Sequence, residues 1–240
     1  MSKLSGKVAL ITGSARGIGK AIALGLAREG ADIVLSDINM EGLMKTESEI
    51  KICGVQVLAI RTDVTDEKQI ENLFQKTMER FNRLDILVNN AGVFDFGPID
   101  QMSTQTWDKV IATDLRAPFI CIREAFKIMK PQGGGRIINI GSISASRVRP
   151  NNAAYSAAKF GLVGLTHTAA LEGRKFGINC GCLHPGETRR ENRPPGVPEE
   201  PAMEPEEVAS AVVYMACLPP HINVLEMIQM PREQLYVGRG

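Results

Sequence analysis

Residues 7–19 read KVALITGSARGIG, and the reading of this stretch decides the fold. "KVALIT" reads as a strand around the apolar run VALI, stopped by Gly13. From Gly17 the pattern changes. "GIGKAIALGLAREG" (17–30) repeats apolar residues at three- and four-residue spacing until Gly30. A strand, a glycine turn and a helix therefore follow one another. Gly13, Gly17 and Gly19 remove side chains where they would shield the backbone. The helix start offers free N–H groups and the positive end of its dipole, which suits an anion such as a pyrophosphate. A glycine-rich turn without a ligand is the competing reading. The placement inside a strand–turn–helix unit near the start of the chain weighs against it.

Outward from this unit the alternation recurs. "ADIVLSD" (31–37) reads as a strand and 40–52 as a helix. "VQVLAIRTD" (55–63) is a third strand, and a helix over 66–82 opens on the acidic "TDE" that suits an N-terminus. "LDILVNNAG" (84–92) is a fourth strand. A long helix is expected over roughly 104–129, capped by Ser103 and ended by Pro131 and three glycines. "GRIINIGS" (135–142) is a strand, 152–175 a helix, and "GINCGCL" (177–183) a strand. "PEEVASAVVYMACL" (205–218) is a helix with proline in its first turn, and "INVLEMIQM" (222–230) a seventh strand. The strands are near-continuously apolar, which indicates burial on both faces in a parallel sheet. The expectation is an α/β fold over 1–240: one domain with a doubly wound, seven-stranded parallel sheet and right-handed crossovers. The proline-rich stretch 186–205 lies between a strand and a helix of that sheet. It reads as a loop covering a substrate rather than as a linker.

Composition narrows the function. The formal net charge is +1, so no global field recruits nucleic acid or an anionic membrane. Aromatic content of 5% without a basic face gives a nucleic-acid role no support. No run of eighteen apolar residues is present, and the short apolar run at the start is too short to span a bilayer. Five widely spaced cysteines read as small buried thiols in a reducing compartment, so a cytoplasmic protein is expected. His167, His184 and His221 are scattered and form no metal-ligand cluster, so no metal is expected.

Asp37 ends the second strand, 24 residues after Gly13. A carboxylate there accepts ribose hydroxyls and repels a 2′-phosphate, which favours NAD over NADP. Arg16, in the glycine loop, pulls the other way, since a basic side chain attracts that phosphate. In "NNAAYSAAKF" (151–160), Tyr155 and Lys159 lie one helical turn apart and project from one face.

Taken in order, "TGSARGIG" (12–19), Asp63 in "RTDV", "NNAG" (89–92), Ser142 in "INIGS", Tyr155-x-x-x-Lys159 and "PG" (185–186) resemble the short-chain dehydrogenase/reductase family. The likeness covers nearly the whole chain, which implies a Rossmann-type fold and a nicotinamide cofactor. It implies a nucleotide site built from Gly13, Arg16, Gly17, Ile18, Gly19, Asp37, Asp63, Val64, Asn90, Ala91 and Gly92. Asp63 and Val64 would flank the adenine, and Asn90 would lie against the cofactor while holding the sheet together. Pro185, Gly186 and Thr188 would pass the nicotinamide. Lys159 would bind the nicotinamide ribose beside Tyr155.

The chemistry follows from the residue types. A free phenol titrates at about 10, too high for a base at neutral pH. A neighbouring ammonium stabilises the phenolate. Tyr155 would take the proton from a secondary alcohol while hydride leaves for the nicotinamide, or return it to the ketone. Ser142 would hydrogen-bond the same oxygen. Where the family has an asparagine in its long helix, this chain has Asp114, which keeps an acceptor but loses the amide donor. Asp114 either serves the same proton relay, pairing with Lys159, or weakens it. The reading is an NAD-dependent alcohol dehydrogenase or ketone reductase. The alternatives are an NADP-dependent carbonyl reductase similar to the 3-oxoacyl reductases, and a non-catalytic NAD-binding regulatory protein.

The substrate pocket is expected from Phe94, Phe96, Ser144, Arg147, Arg149, Asn152, His184, Arg189, Arg190 and Arg193. So many arginines suggest an anionic alcohol or ketone, but the reading that they are solvated or tie down the loop carries more weight, since loops run over the surface. The resemblance also implies a homo-oligomer, tetramer or dimer. The ending "LPPHINVLEMIQMPREQ" departs from the glycine-rich segment common in the family, leaving the assembly through the last strand open.

Overall fold

Strand β1 (Val8–Thr12) is buried along its whole length, as its apolar run demands. The computed structural model describes residues 2–190 and 200–235. Among them β1 is followed by α1 (Gly17–Arg28), β2 (Asp32–Asp37), α2 (Met40–Lys51), β3 (Val57–Arg61), α3 (Glu67–Phe81) and β4 (Ile86–Asn89). Then come α4 (Thr104–Ile111), α5 (Ala117–Gln132), β5 (Gly135–Ile140), α6 (Ala153–Gly173), β6 (Ile178–Pro185), α7 (Pro205–Ala216) and β7 (Glu226–Gln229). The strands form one seven-stranded sheet in the order β3-β2-β1-β4-β5-β6-β7, and every pairing is parallel.

The sheet carries helices on both faces. Ala9 and Ile11 of β1 point into a core with α1, α2 and α7, while Val8 and Leu10 point into a second core with α3, α5 and α6. Alternation along a strand thus feeds two cores, each fully buried Leu or Ile contributing about 1.5–3 kcal/mol. Strand order reverses at β1, whose neighbours are β2 and β4. Ligands of such sheets bind at the carboxyl ends beside that reversal.

Three boundaries depart from the sequence pattern. The fourth strand is Ile86–Asn89 rather than 84–92, because Asn90 leaves the ladder to hold the glycine loop. The long helix is interrupted by a π-helical turn, Ala112–Arg116. Helix α5 continues through Pro131, which sits in the last turn, and stops at Gly133 with φ +85°. At that position the proline removes one hydrogen bond and glycine supplies the left-handed conformation. Ser103 caps α4 as expected, accepting from the Thr106 N–H.

Candidate functional site

The start of α1 is open to a ligand. Asn39, Asp66 and Ser103 cap α2, α3 and α4 with their side chains, whereas Arg16 at the head of α1 makes no such bond. No acidic side chain stands in the first turn of α1. Its leading amides, from Gly17, Ile18 and Gly19, have no partner within the helix and suit the pyrophosphate of a dinucleotide. Gly13 and Gly17 have φ of +66° and +54°, which glycine adopts freely. A Cβ on Gly19 would run into the Gly13 carbonyl and the Asn90 amide.

The expected nucleotide residues gather around this loop. Asn90 donates through Nδ2 to the Thr12 and Gly13 carbonyls, both at 2.9 Å. The Thr12 hydroxyl accepts from the Asn90 and Ala91 backbone N–H groups at 3.0 and 3.1 Å, which fastens the end of β4 to the end of β1. The Asp37 carboxylate accepts from the Ala15 N–H at 3.1 Å and the Asn39 N–H at 3.0 Å, fixing a negative charge beside the loop. Asp63 is held by both the N–H and hydroxyl of Thr65 and by Gln69, and Val64 beside it is buried. Pro185 ends β6, Gly186 bonds to Gln229, and the Thr188 hydroxyl donates to the Gly186 carbonyl at 3.2 Å.

The proton-handling residues converge at the ends of β4 and β5. Ser142 follows β5 and its Oγ accepts from the Ser144 N–H. Lys159 reaches back from α6 to the Ile140 carbonyl at 3.0 Å, which brings serine and lysine together. Its Nζ lies 3.2 Å from Asp114 Oδ2 and 5.3 Å from the centre of the Tyr155 ring. The π turn carries Asp114, whose Oδ1 accepts from the Val93 N–H at 2.8 Å. A Cβ on Gly92 would come within 3.0 Å of Asp114 Oδ2, so a side chain there would press on that carboxylate.

The electrostatics of the pair are set by burial. Burial raises the Asp114 carboxyl above the ordinary range, with Lys159 opposing. Burial also works against the Lys159 ammonium, but Asp114 and Tyr155 outweigh it and hold that ammonium above its usual value. A cation buried this deeply stays charged only because an anion faces it.

The expected pocket divides. Phe94 packs edge-on against Tyr155 at 5.1 Å and tilts against Phe96, and the Arg190 guanidinium lies 5.0 Å over the Phe94 ring. Arg149 is bound in fork geometry to Glu200 at 2.7 and 2.8 Å, and Arg189 to Glu204 at 2.6 Å. These two arginines hold the loop after β6 rather than await a substrate, and glutamates in the same stretch were the signal. Arg147 is exposed, whereas Ser144 and Asn152 are buried. Arg193, and with it the middle of the 186–205 loop, lies outside the described residues. His184 is buried beneath Ser142 instead of lining the pocket. Sequence reasoning missed Thr12, the Ile140 carbonyl and Glu226. Only the last carries a signal, a charge inside a strand.

Residues 7–198 match the family model of the short chain dehydrogenases. The chain belongs to the short-chain dehydrogenase family. It is similar to an uncharacterized oxidoreductase of Bacillus subtilis, 43% identical over 75% of this chain and 70% of the relative. It is 35% identical to a 3-oxoacyl-[acyl-carrier-protein] reductase of Synechocystis over 91% of this chain and 92% of that one. A metagenomic short-chain oxidoreductase solved in complex with NADP superposes with a TM-score of 0.87 at 33% identity, covering 97% of this chain and 100% of the other. This short-chain dehydrogenase is therefore an oxidoreductase whose fold binds a nicotinamide cofactor. Among its described residues no helix is long and apolar enough to cross a membrane, and no group of three acidic, histidine or cysteine side chains could hold a metal ion.

Proposed function

We propose that the protein interconverts a secondary alcohol and a ketone by hydride transfer with a nicotinamide cofactor. The observation that carries this is Lys159, fixed to the Ile140 carbonyl two residues before Ser142 and 5.3 Å from the centre of the Tyr155 ring, in a sheet whose first helix begins without a side-chain cap. The cofactor, when bound, supplies or accepts the hydride. Gly13, Arg16, Gly17, Ile18 and Gly19 hold its pyrophosphate. Asp63 and Val64 flank the adenine, while Asn90, Ala91 and Gly92 form the adjoining wall. Pro185, Gly186 and Thr188 border the nicotinamide. Tyr155 exchanges the proton with the substrate oxygen, Ser142 hydrogen-bonds that oxygen, and Lys159 favours the phenolate and binds the ribose. Asp114 keeps Lys159 charged and in register.

Asp37 supports NAD as the cofactor, since its fixed carboxylate can accept ribose hydroxyls and would repel a 2′-phosphate. NADP is the second reading, favoured by Arg16 and by the NADP complex of the superposed relative. Arg190, stacked on Phe94 beside Tyr155, supports a substrate carrying a carboxylate. A homo-oligomer, dimer or tetramer, in the cytoplasm completes the proposal. Purified Tyr155→Phe protein should bind NAD as the wild type does and lose turnover on a panel of neutral and anionic ketones. Undiminished turnover refutes the assignment. Titration with NAD and NADP side by side separates the two cofactor readings.

A further inference from the structure

His184 is the penultimate residue of β6 and is 3% exposed. Its Nδ1 lies 3.0 Å from the Ser142 carbonyl oxygen. That oxygen can only accept, so Nδ1 carries the hydrogen and donates. In the neutral ring Nε2 then presents a lone pair. It is buried without a hydrogen bond, and Glu226 Oε2 stands 3.3 Å away. Two acceptors face each other at that distance, and they attract only when one proton lies between them. The other Glu226 oxygen is 2.8 Å from Nε2 of His167 on α6. The ring also fits tightly under the main chain. A Cβ on Gly141 would come within 2.6 Å of His184 Nδ1 and 2.7 Å of Cys182 Sγ. Any displacement of the imidazole must therefore be felt by the Gly141–Ser142 segment.

We infer that His184 is a positioning residue for Ser142, and that Glu226 with His167 decides whether its ring is locked against β7 or held by the serine carbonyl alone. The inference rests on the reading of Ser142 as the group that hydrogen-bonds the substrate oxygen. It adds a titrating support behind that group. His184 does not touch the reacting atoms, because its bond goes to the carbonyl of Ser142 and not to the hydroxyl.

The groups facing the ring set the direction of the response. On β6, the thiol of Cys182 lies 4.0 Å from Nδ1, and burial pushes it up to about 12, so it stays neutral. On α6, the Lys159 ammonium opposes a charge on the ring. On β7, Glu226 favours that charge, and His167 beyond it competes for the same carboxylate. Burial is the largest influence and holds His184 below its ordinary range, with the Ser142 carbonyl and Glu226 working the other way. The His184–Glu226 bond therefore closes as pH falls on the acid side of neutrality and opens as pH rises, while the Nδ1–H donation to the Ser142 carbonyl persists in both states.

The test compares His184→Asn, His184→Leu and Glu226→Gln with the wild type, all as full-length protein with bound cofactor. Asparagine retains a donor for the Ser142 carbonyl but has no second nitrogen to titrate. NMR follows the His184 ring nitrogens and the Ser142 carbonyl carbon against pH. Steady-state reduction of cyclohexanone and of acetoacetate is followed over the same range. In the wild type the Ser142 carbonyl should move with the His184 titration. Glu226→Gln should shift both to lower pH together with the acid-side step in kcat. His184→Asn should hold kcat within about twofold of wild type and abolish that step. His184→Leu should lower kcat about tenfold with little change in KM. A Ser142 carbonyl indifferent to the titration of His184, or a titration unmoved in Glu226→Gln, overturns the inference even if the leucine variant fails to fold. If neither ketone is turned over, the alcohol–ketone reading is what fails, and the NMR results still decide for or against the His184–Glu226 bond.

Discussion

Asp85 and Asp114 are both buried, at 7% and 1% exposure, and they sit at opposite ends of the sheet. At the amino end Asp85 accepts from the Val8 N–H, from Lys7 and from two nitrogens of Arg83. Burial works against its charge, but Arg83, Val8 and Lys7 outweigh that cost and hold its carboxyl below the ordinary range. Nearby, Arg136 donates to the carbonyls of Leu218, Pro219 and Ile222, closing the loop that leads into β7. At the carboxyl end Asp114 has one N–H and one ammonium, and burial prevails. Buried side-chain atoms without a hydrogen bond cluster at this end: Ser36, Asn89, His184 and Gln229 near strand ends, Asp114 in the π turn, and Asn152 and Ser156 at the start of α6. Groups at the amino end satisfy one another and stabilise the fold. The carboxyl end leaves polar groups incompletely matched, as sites of chemistry do.

Substitutions at the two ends should therefore separate activity from stability. The largest expected effect is at Tyr155: Tyr155→Phe should lower turnover about 10³-fold. Its melting temperature should match the wild type in a thermal scan. A large loss of stability would mean the residue is a core support. Next, Asp85→Ala should cost about 2 kcal/mol in urea denaturation while kcat per folded molecule is unchanged. The stability that Asp85 contributes is present above the ordinary carboxylate range and is lost as pH falls through its lowered value, so the variant should also show a flatter acid limb. Asp114 has the opposite sign, its contribution being greatest at low pH and lost as pH rises through its raised value. Asp114→Asn should keep activity but move the alkaline rise of alcohol oxidation to higher pH, since Lys159 loses the anion that keeps it charged and favours the Tyr155 phenolate less. An unchanged pH–rate profile would break that half of the comparison. The smallest effect is at Arg149: its exposed pair with Glu200 should contribute less than about 1 kcal/mol, read from Arg149→Gln in the same urea assay.

The fold was legible because burial on both faces writes apolar strands directly into sequence, as in β1, and because glycines punctuate the ends of α1 and α5. The π turn at Ala112–Arg116 was not, since one extra residue barely disturbs a helical apolar pattern. In the site, Tyr155 and Lys159 could be paired by spacing alone. The carbonyl of Ile140 that anchors Lys159 has no side-chain signature and could not be read. Sequence alone counts His184 among the pocket candidates. The pleat of β6 instead sends it under Ser142, and the face a strand residue takes depends on register, which only pairing fixes. For Arg149 and Arg189 residue type shows a cation, while the partner, Glu200 or Glu204, is chosen by the path of the loop.

The bracing of the glycine loop bears on how such proteins can be rebuilt. Gly13 and Gly19 close on each other only because Asn90, nearly eighty residues later, grips the carbonyls of Thr12 and Gly13, and a Cβ on Gly13 would meet Ala91. The nucleotide loop is thus not a portable cassette. Grafting residues 12–19 into another sheet would transplant half of a joint, and the graft would hold its shape only if the strand carrying the matching Asn-Ala pair came with it.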